Sequence, residues 1–301
     1  MVEDTKTIYL DEIQEETMGM ISKNLTFLKD KFCVICGASF GVLTAVLSFL
    51  TWDEMGITSQ WVRLAIMAAV VLVSALIALG WLILKRKNLL WEQGPRHIQA
   101  MYGDIFKIAS NRKCEKNVVI SVNTTFDTIV GDGIVSPETL HGQWINQLCA
   151  NGYTVEQLDQ LIEKSLKELK DLEAVELSEQ QKPKGKRRAY PQGTVAQVDV
   201  DNTHYFLVAL SHFDENLNAQ CGREDVLTVV NSLIDDLDKK AQGSPVYIPL
   251  LGTGMSGAGL EMEESLQIIS DLLKLKRHKL RGPFNIVVYH KHRHQVSIFD
   301  L

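Results

Sequence analysis

Two stretches of this chain carry no charge over a length that few kinds of structure can absorb. Phe32–Trp52, "FCVICGASFGVLTAVLSFLTW", and Leu64–Leu84, "LAIMAAVVLVSALIALGWLIL", each run 21 residues without Asp, Glu, Lys, Arg or His. About 20 apolar residues cross a bilayer core as helix, the form that satisfies every backbone polar group within one segment. Trp52, Trp61, Trp81 and Trp91 lie near the ends of the runs, where amphipathic rings favour the membrane interface. Both runs are therefore predicted to be transmembrane helices. A cleaved signal peptide does not fit a run that starts so late and lacks a cleavage site. Lys23, Lys29 and Lys31 precede the first run and Lys85, Arg86, Lys87 and Arg96 follow the second, whereas the connector "DEMGITSQ" is acidic. The positive-inside rule then places both termini in the cytoplasm. Gly37 and Gly41 form a Gly-x-x-x-Gly in the first run, a spacing that lets helices approach closely and fits self-association. With no ionisable residue in either span, the helices show no charged conduction site.

The chain therefore divides into a helical N-terminal segment (residues 1–31), a two-helix membrane hairpin (32–86, spans at about 32–52 and 64–84) and a cytosolic domain (87–301). In the first of these, Leu10, Ile13, Met20, Ile21, Leu25 and Leu28 recur at helical spacing. The five cysteines are odd in number and scattered, so a disulfide framework is excluded and a reducing compartment fits. Cys33 and Cys36 have no second pair beside them and read as small apolar residues. A net charge of -6 argues against a nucleic-acid surface. In the cytosolic domain, strands are predicted at Asn117–Asn123, Gly193–Val200, His204–Leu210, Pro245–Leu251, Phe284–His290 and Gln295–Phe299. Helices are predicted at about Thr154–Leu172, Arg223–Lys240 and Glu261–Lys276. This alternation means an α/β fold, a mixed sheet sandwiched between helices. The basic, Pro- and Gly-broken segment Glu179–Pro191 reads as a solvated, mobile loop.

Two glycine-rich stretches follow strands. "PLLGTGMSGAGL" (Pro249–Leu260) contains Gly252-x-Gly254-x-x-Gly257, a literal G-x-G-x-x-G. A dinucleotide fold would need this motif early, with an acidic residue ending the next strand; here the next strand ends in Tyr289-His290. A P-loop would need Lys after the last glycine, and Ala258 stands there. What remains is the shared physics: glycines turn backbone N–H groups toward an anion, and the helix that follows points its positive end at it. The second stretch, Gly131-Asp132-Gly133-Ile134, follows the Asn117–Asn123 strand, so two turns can grip one diphosphate. "HKHRH" (His290–His294) lacks the spacing of a zinc site and reads as a basic turn, Ser256 has no visible base, and His141 is expected to face solvent.

The order Gly103-Asp104-Ile105, "VVISVN", "GDGI", a strand pair and "IPLLGTGMSGAGL" resembles the macro domain family, over about Gly103–Phe299. The resemblance implies binding of ADP-ribose or a derivative, with no further cofactor and no metal. Asp104, beside Ile105, would accept a hydrogen bond from the adenine amino group, and Asn123 would lie by the distal ribose. Gly131, Asp132, Gly133 and Ile134 would wrap the diphosphate together with Leu251, Gly252, Thr253, Gly254, Met255, Ser256 and Gly257, and Tyr289 would flank the adenine. Where hydrolytic members carry a second Asn and a middle glycine in the first turn, this chain has Phe126 and Asp132, which favours binding without turnover. Asp132 either faces solvent or pairs with a cationic group on the ligand. Two membrane helices ahead of such a domain resemble the effector of type II Thoeris antiphage defence. That resemblance implies a prokaryotic inner-membrane, multi-pass sensor. A partner TIR-domain enzyme would supply an ADP-ribose-type signal such as a histidine conjugate, and binding would drive homo-oligomerisation and disruption of the lipid bilayer. The alternative is a membrane-tethered ADP-ribosyl hydrolase.

Overall fold

The computed structural model describes residues 14–169, 172–254 and 258–301. The chain forms two compact units, one from the residues up to Arg86 together with Arg293–Asp300, the other from Lys87–His292.

In the first unit residues 14–23 are helical (α1), while Leu10 and Ile13 of the apolar pattern lie outside the described residues. Asn24 interrupts the helix, its amide donating back to the Met20 carbonyl at 2.7 Å. Two long helices follow, α2 (Leu25–Leu47) and α3 (Gln60–Leu84), 23 and 25 residues with mean hydropathy 1.6 and 2.7 over their most apolar windows. Both are long and apolar enough to cross a membrane. Helix α2 begins and ends earlier than the uncharged run. A turn stops it, in which the Glu54 carboxylate accepts from the Thr51 N–H at 2.7 Å. The connector is less acidic than its own residues indicate, because Arg63 of α3 pairs with Asp53 at 2.5 Å. A Cβ on Gly37 or Gly41 would meet nothing within 4 Å, so the packing of α2 against α3 does not use the Gly-x-x-x-Gly face.

Gln295–Phe299 is not the expected strand. A 3-10 turn, His290–His294, leads into irregular chain in which Val296 and Ile298 are buried. The last carbonyls of a helix have no partner within it. Arg293 supplies donors to three of them, those of Leu82, Ile83 (3.0 Å) and Lys85 (3.3 Å), and Phe299 stacks on Phe27 with ring centroids 4.3 Å apart. Helix-end capping and ring stacking thus satisfy this segment without a ladder.

The second unit is a mixed sheet between two layers of helix. Its elements are β1 (Lys87–Gln93), β2 (Arg96–Gly103), α4 (Ile105–Ala109), β3 (Lys116–Asn123), α5 (Leu140–Ala150), α6 (Val155–Lys167), β4 (Val175–Glu176), β5 (Arg188–Ala189), β6 (Val195–Val200), β7 (Thr203–Phe213), β8 (Ala219–Gln220), α7 (Arg223–Lys240), β9 (Val246–Pro249), α8 (Met262–Lys276) and β10 (Phe284–Tyr289). The strand order is β1-β2-β10-β9-β3-β7-β6, with β8 added to β7, and β2, β10, β9, β3 and β7 run parallel. The almost uninterrupted apolar run of β3 follows from cover on both faces. Val118, Ile120 and Val122 point into one core with Trp144, Ile145, Leu158 and Ile162 of α5 and α6. Helices α7 and α8 lie on the other face, α7 against β7 and α8 against β2 and β10. The sheet also begins earlier than predicted: the β1–β2 hairpin precedes Asp104 and adds an antiparallel edge.

Candidate ligand-binding site

The four segments singled out in the sequence leave the same edge of the sheet. β2, β10, β9 and β3 are adjacent and parallel. Their carboxyl ends deliver Asp104, Tyr289, the 250–254 turn and the Asn123–Val135 turn side by side. Open α/β sheets bind ligands at such an edge, where helix N-termini and loops converge.

Asp104 caps α4, its Oδ1 accepting from the N–H groups of Phe106 (3.0 Å) and Lys107 (3.3 Å). One carboxylate oxygen is therefore committed to the helix. The Ile105 side chain is in the core, so only its main chain can line the edge. Tyr289 ends β10 half exposed, its ring edge-on to His290 at 4.7 Å.

The first turn is built by side chains. Asn123 is buried, and its Oδ1 accepts from the Asp127 N–H and the Thr125 hydroxyl, both at 3.1 Å, which folds the chain back on itself. Asp127 is buried too. Its Oδ2 lies 2.6 Å from the Thr125 hydroxyl and 2.6 Å from the Lys182 ammonium, and its Oδ1 accepts from the Lys186 N–H at 2.7 Å. Lys186 also donates to the Phe126 carbonyl at 2.8 Å and pairs with Asp159 of α6, which accepts from Thr128 at 2.5 Å. Burial lowers the Lys182 pKa and the Asp127 charge opposes that shift. Phe126 fills the core and holds φ at 49°, in the left-handed region that a bulky residue occupies only when its surroundings fix it.

Beyond this network the chain turns through three successive left-handed residues, Gly131 (φ 99°), Asp132 (53°) and Gly133 (77°). The turn closes on itself through Gly131 N–H to Val135 (2.8 Å) and Ile134 N–H to Gly131 (2.9 Å). The N–H groups of Asp132 and Gly133 have no partner among the described residues. Asp132 is exposed, and the Ile134 side chain is buried. His141, expected in solvent, is buried instead: α5 tucks its first turn under the loop, where a Cβ on Gly142 would collide with the Ser136 carbonyl. Burial holds the imidazole pKa down to about 4, against the pull of Asp127 and a hydrogen bond to its backbone.

The second turn relies on backbone conformation. Leu251 is a core residue whose N–H and carbonyl both bond the Ser265 hydroxyl of α8, at 3.0 and 2.7 Å. Gly252 has φ 79°, and a Cβ there would lie 2.9 Å from Val226 and 3.0 Å from Leu260. Gly254 has nothing within 4 Å of such a Cβ, and the Thr253 and Gly254 N–H groups have no partner among the described residues. Met255, Ser256 and Gly257, also expected to line the site, lie outside the described residues.

Sequence reasoning missed the residues that set the first turn. The segment 179–191, expected to be a solvated loop, carries the short β4–β5 pair at its margins and is bonded to the turn at several points, with Lys182 fully buried. Asp127, a lone carboxylate between residues that pack inward, was the signal that a buried cation had to come from elsewhere. Among the described residues no group of three or more His, Cys, Asp and Glu is placed to hold a metal.

Residues 98–289 match the family model described as Thoeris protein ThsA, Macro domain. A Thoeris protein ThsA of Bacillus amyloliquefaciens (strain Y2) is 26% identical over 263 residues, 86% of this chain and 84% of that protein. A macrodomain variant of Oceanobacillus iheyensis with ADPR covers 71% of this chain and 95% of its own, at 10% identity and TM-score 0.46. The same macrodomain with ADP covers 72% and 95%, at 10% identity and TM-score 0.44.

Proposed function

This chain belongs to the Thoeris ThsA macro-domain family, and on that premise we propose that it is a membrane-anchored sensor of antiphage defence whose 87–301 domain binds an ADP-ribose derivative. The observation that carries the reading is the meeting of Asp104, Tyr289 and two glycine turns at one sheet edge, with N–H groups in both turns that have no partner among the described residues. Such amides stabilise anionic oxygens without a bulky or titrating side chain, which suits a diphosphate. Asp104 keeps one carboxylate oxygen for an exocyclic amine, and the Tyr289 ring stands at the adjacent strand end to cover a base. The first turn offers Phe126, sunk in the core, where a hydrolase would place a group to orient water. This favours a sensor over a membrane-tethered ADP-ribosyl hydrolase.

The signal would come from a TIR-domain enzyme that consumes NAD, and a histidine conjugate of ADP-ribose is the candidate derivative. Helices α2 and α3 would span the inner membrane with both termini in the cytoplasm. The open Gly37/Gly41 face of α2 supports assembly of several copies through the spans, and that assembly would disrupt the bilayer. Ligand drives such a change only by binding the assembled state more tightly than the free one. The test is native mass measurement of the full chain in detergent or nanodiscs, with and without ADP-ribose and its histidine conjugate. Larger assemblies with ligand support the reading; an unchanged mass at saturating ligand contradicts the assembly step, and release of free ADP-ribose from the conjugate would select the hydrolase.

A further inference from the structure

We infer that Lys184, on the basic 179–191 segment, is a charge contact for the phosphate held at the Gly131–Ile134 turn, and that the buried Lys182–Asp127 pair is the latch that positions it. Five of the seven residues 182–188 are basic, and four of them have duties elsewhere in the structure. Lys182 is spent on Asp127, Lys186 on Asp159 and the Phe126 carbonyl, and Arg187 on Glu179 at 3.4 Å. Arg188 lies over the Tyr190 ring at 5.7 Å. Lys184 is different. It is exposed, it has no acidic partner among the described residues, and its ammonium lies 3.4 Å from the Asp132 carbonyl oxygen. It thus stands on the same turn whose Asp132 and Gly133 N–H groups have no partner among the described residues.

The Gly133 N–H points away from the Asp132 carbonyl of the same trans peptide, so the exposed Lys184 side chain reaches an anionic oxygen held by that amide by swinging from the carbonyl around the turn. The Asp132 carboxylate is exposed on the same turn and Lys184 bonds that residue's carbonyl rather than its carboxylate, which leaves the ammonium able to exchange this contact for an anionic oxygen. The latch explains how an exposed lysine is held there. Gly185, at φ 79°, brings the backbone so close to Asp127 that a Cβ would collide with the carboxylate, and Lys186 N–H bonds that carboxylate from the next position. Tyr190 N–H then bonds the Thr124 carbonyl at 2.9 Å, tying the far end of the segment to the same loop. Lys184 is therefore fixed from both sides.

This rests on the ligand reading above, and the experiment separates the two. Full-length protein in nanodiscs is titrated by calorimetry with ADP-ribose and, separately, with inorganic pyrophosphate, at two salt concentrations. Lys184→Glu is expected to weaken ADP-ribose binding at least tenfold and to flatten its salt dependence, with an unchanged melting temperature; Lys184→Arg restores both. Lys182→Met is expected to give a similar loss. If Lys184→Glu binds within twofold of wild type, the inference is overturned. If Lys182→Met binds normally while Lys184→Glu does not, the latch is overturned and the contact stands. Wild-type binding of pyrophosphate but not ADP-ribose would sink the ADP-ribose reading, and Lys184-dependence of the pyrophosphate signal would still uphold the contact. No wild-type binding of either probe overturns both.

Discussion

The two turns that leave the same sheet edge are held by opposite means. The 123–135 turn is held by charged and polar side chains. Asn123, Thr125, Asp127 and Asp159 come from its own side of the sheet, and Lys182 and Lys186 come from a segment about 55 residues further along the chain. The 250–254 turn is held by glycine conformation and one hydroxyl, that of Ser265. Side-chain anchoring makes the first turn sensitive to charge and to protonation. Conformational anchoring makes the second sensitive to any Cβ, and indifferent to charge.

The largest expected effect tests the first half of that contrast. Asp127→Ala leaves the Lys182 ammonium buried without its carboxylate, and should cost about 3–5 kcal/mol in denaturant unfolding of the domain. A loss below about 1 kcal/mol would mean that the pair is not the anchor. On the second turn, Gly252→Ala adds a Cβ against Val226 and Leu260 at a left-handed φ and should cost about 2–3 kcal/mol. If it is neutral, the turn is not conformationally fixed. Acidification should distinguish the turns again. His141 stays neutral in the fold down to about pH 4, whereas in the unfolded chain it takes a proton near pH 6.5. Its folded pKa is the lower one, so stability is complete above the unfolded value and falls with pH below it, by about 2 kcal/mol between pH 7 and pH 5. His141→Gln should remove that part of the slope; an identical slope in the variant would assign the loss to other groups.

What the sequence made legible follows the same division. Elements that depend on local pattern were readable: the two apolar runs, the β3, β7 and β10 strands, α7 and α8, and both glycine turns. Asp104 and Tyr289 lie at one sheet edge because one caps the helix after β2 and the other ends β10, positions that local pattern makes readable. The β1–β2 hairpin was missed because an edge pair shows one face to water. Ile98, Ala100 and Tyr102 of β2 are buried, but Met101 between the last two is also apolar and breaks the alternation that would mark a strand. The strand expected at Gln295–Phe299 had the right alternation, but Val296 and Ile298 are buried from irregular chain and Phe299 stacks on Phe27. The anchoring of 179–191 was illegible for a different reason. A lysine in a Pro/Gly-broken run is usually solvated, and only the distant Asp127 makes burial of Lys182 favourable. Local pattern does not encode a partner of that kind.

The central claim is that a pyrophosphate sits between the two turns, and Gly254 gives it a clean test. A Cβ there meets nothing within 4 Å among the described residues, so the backbone accepts a side chain and Gly254→Trp should change unfolding stability by less than about 0.5 kcal/mol. Calorimetric titration of the full-length chain with ADP-ribose should show saturable binding in wild type and none in Gly254→Trp. Equal affinity in the two proteins would place the ligand elsewhere and contradict the account.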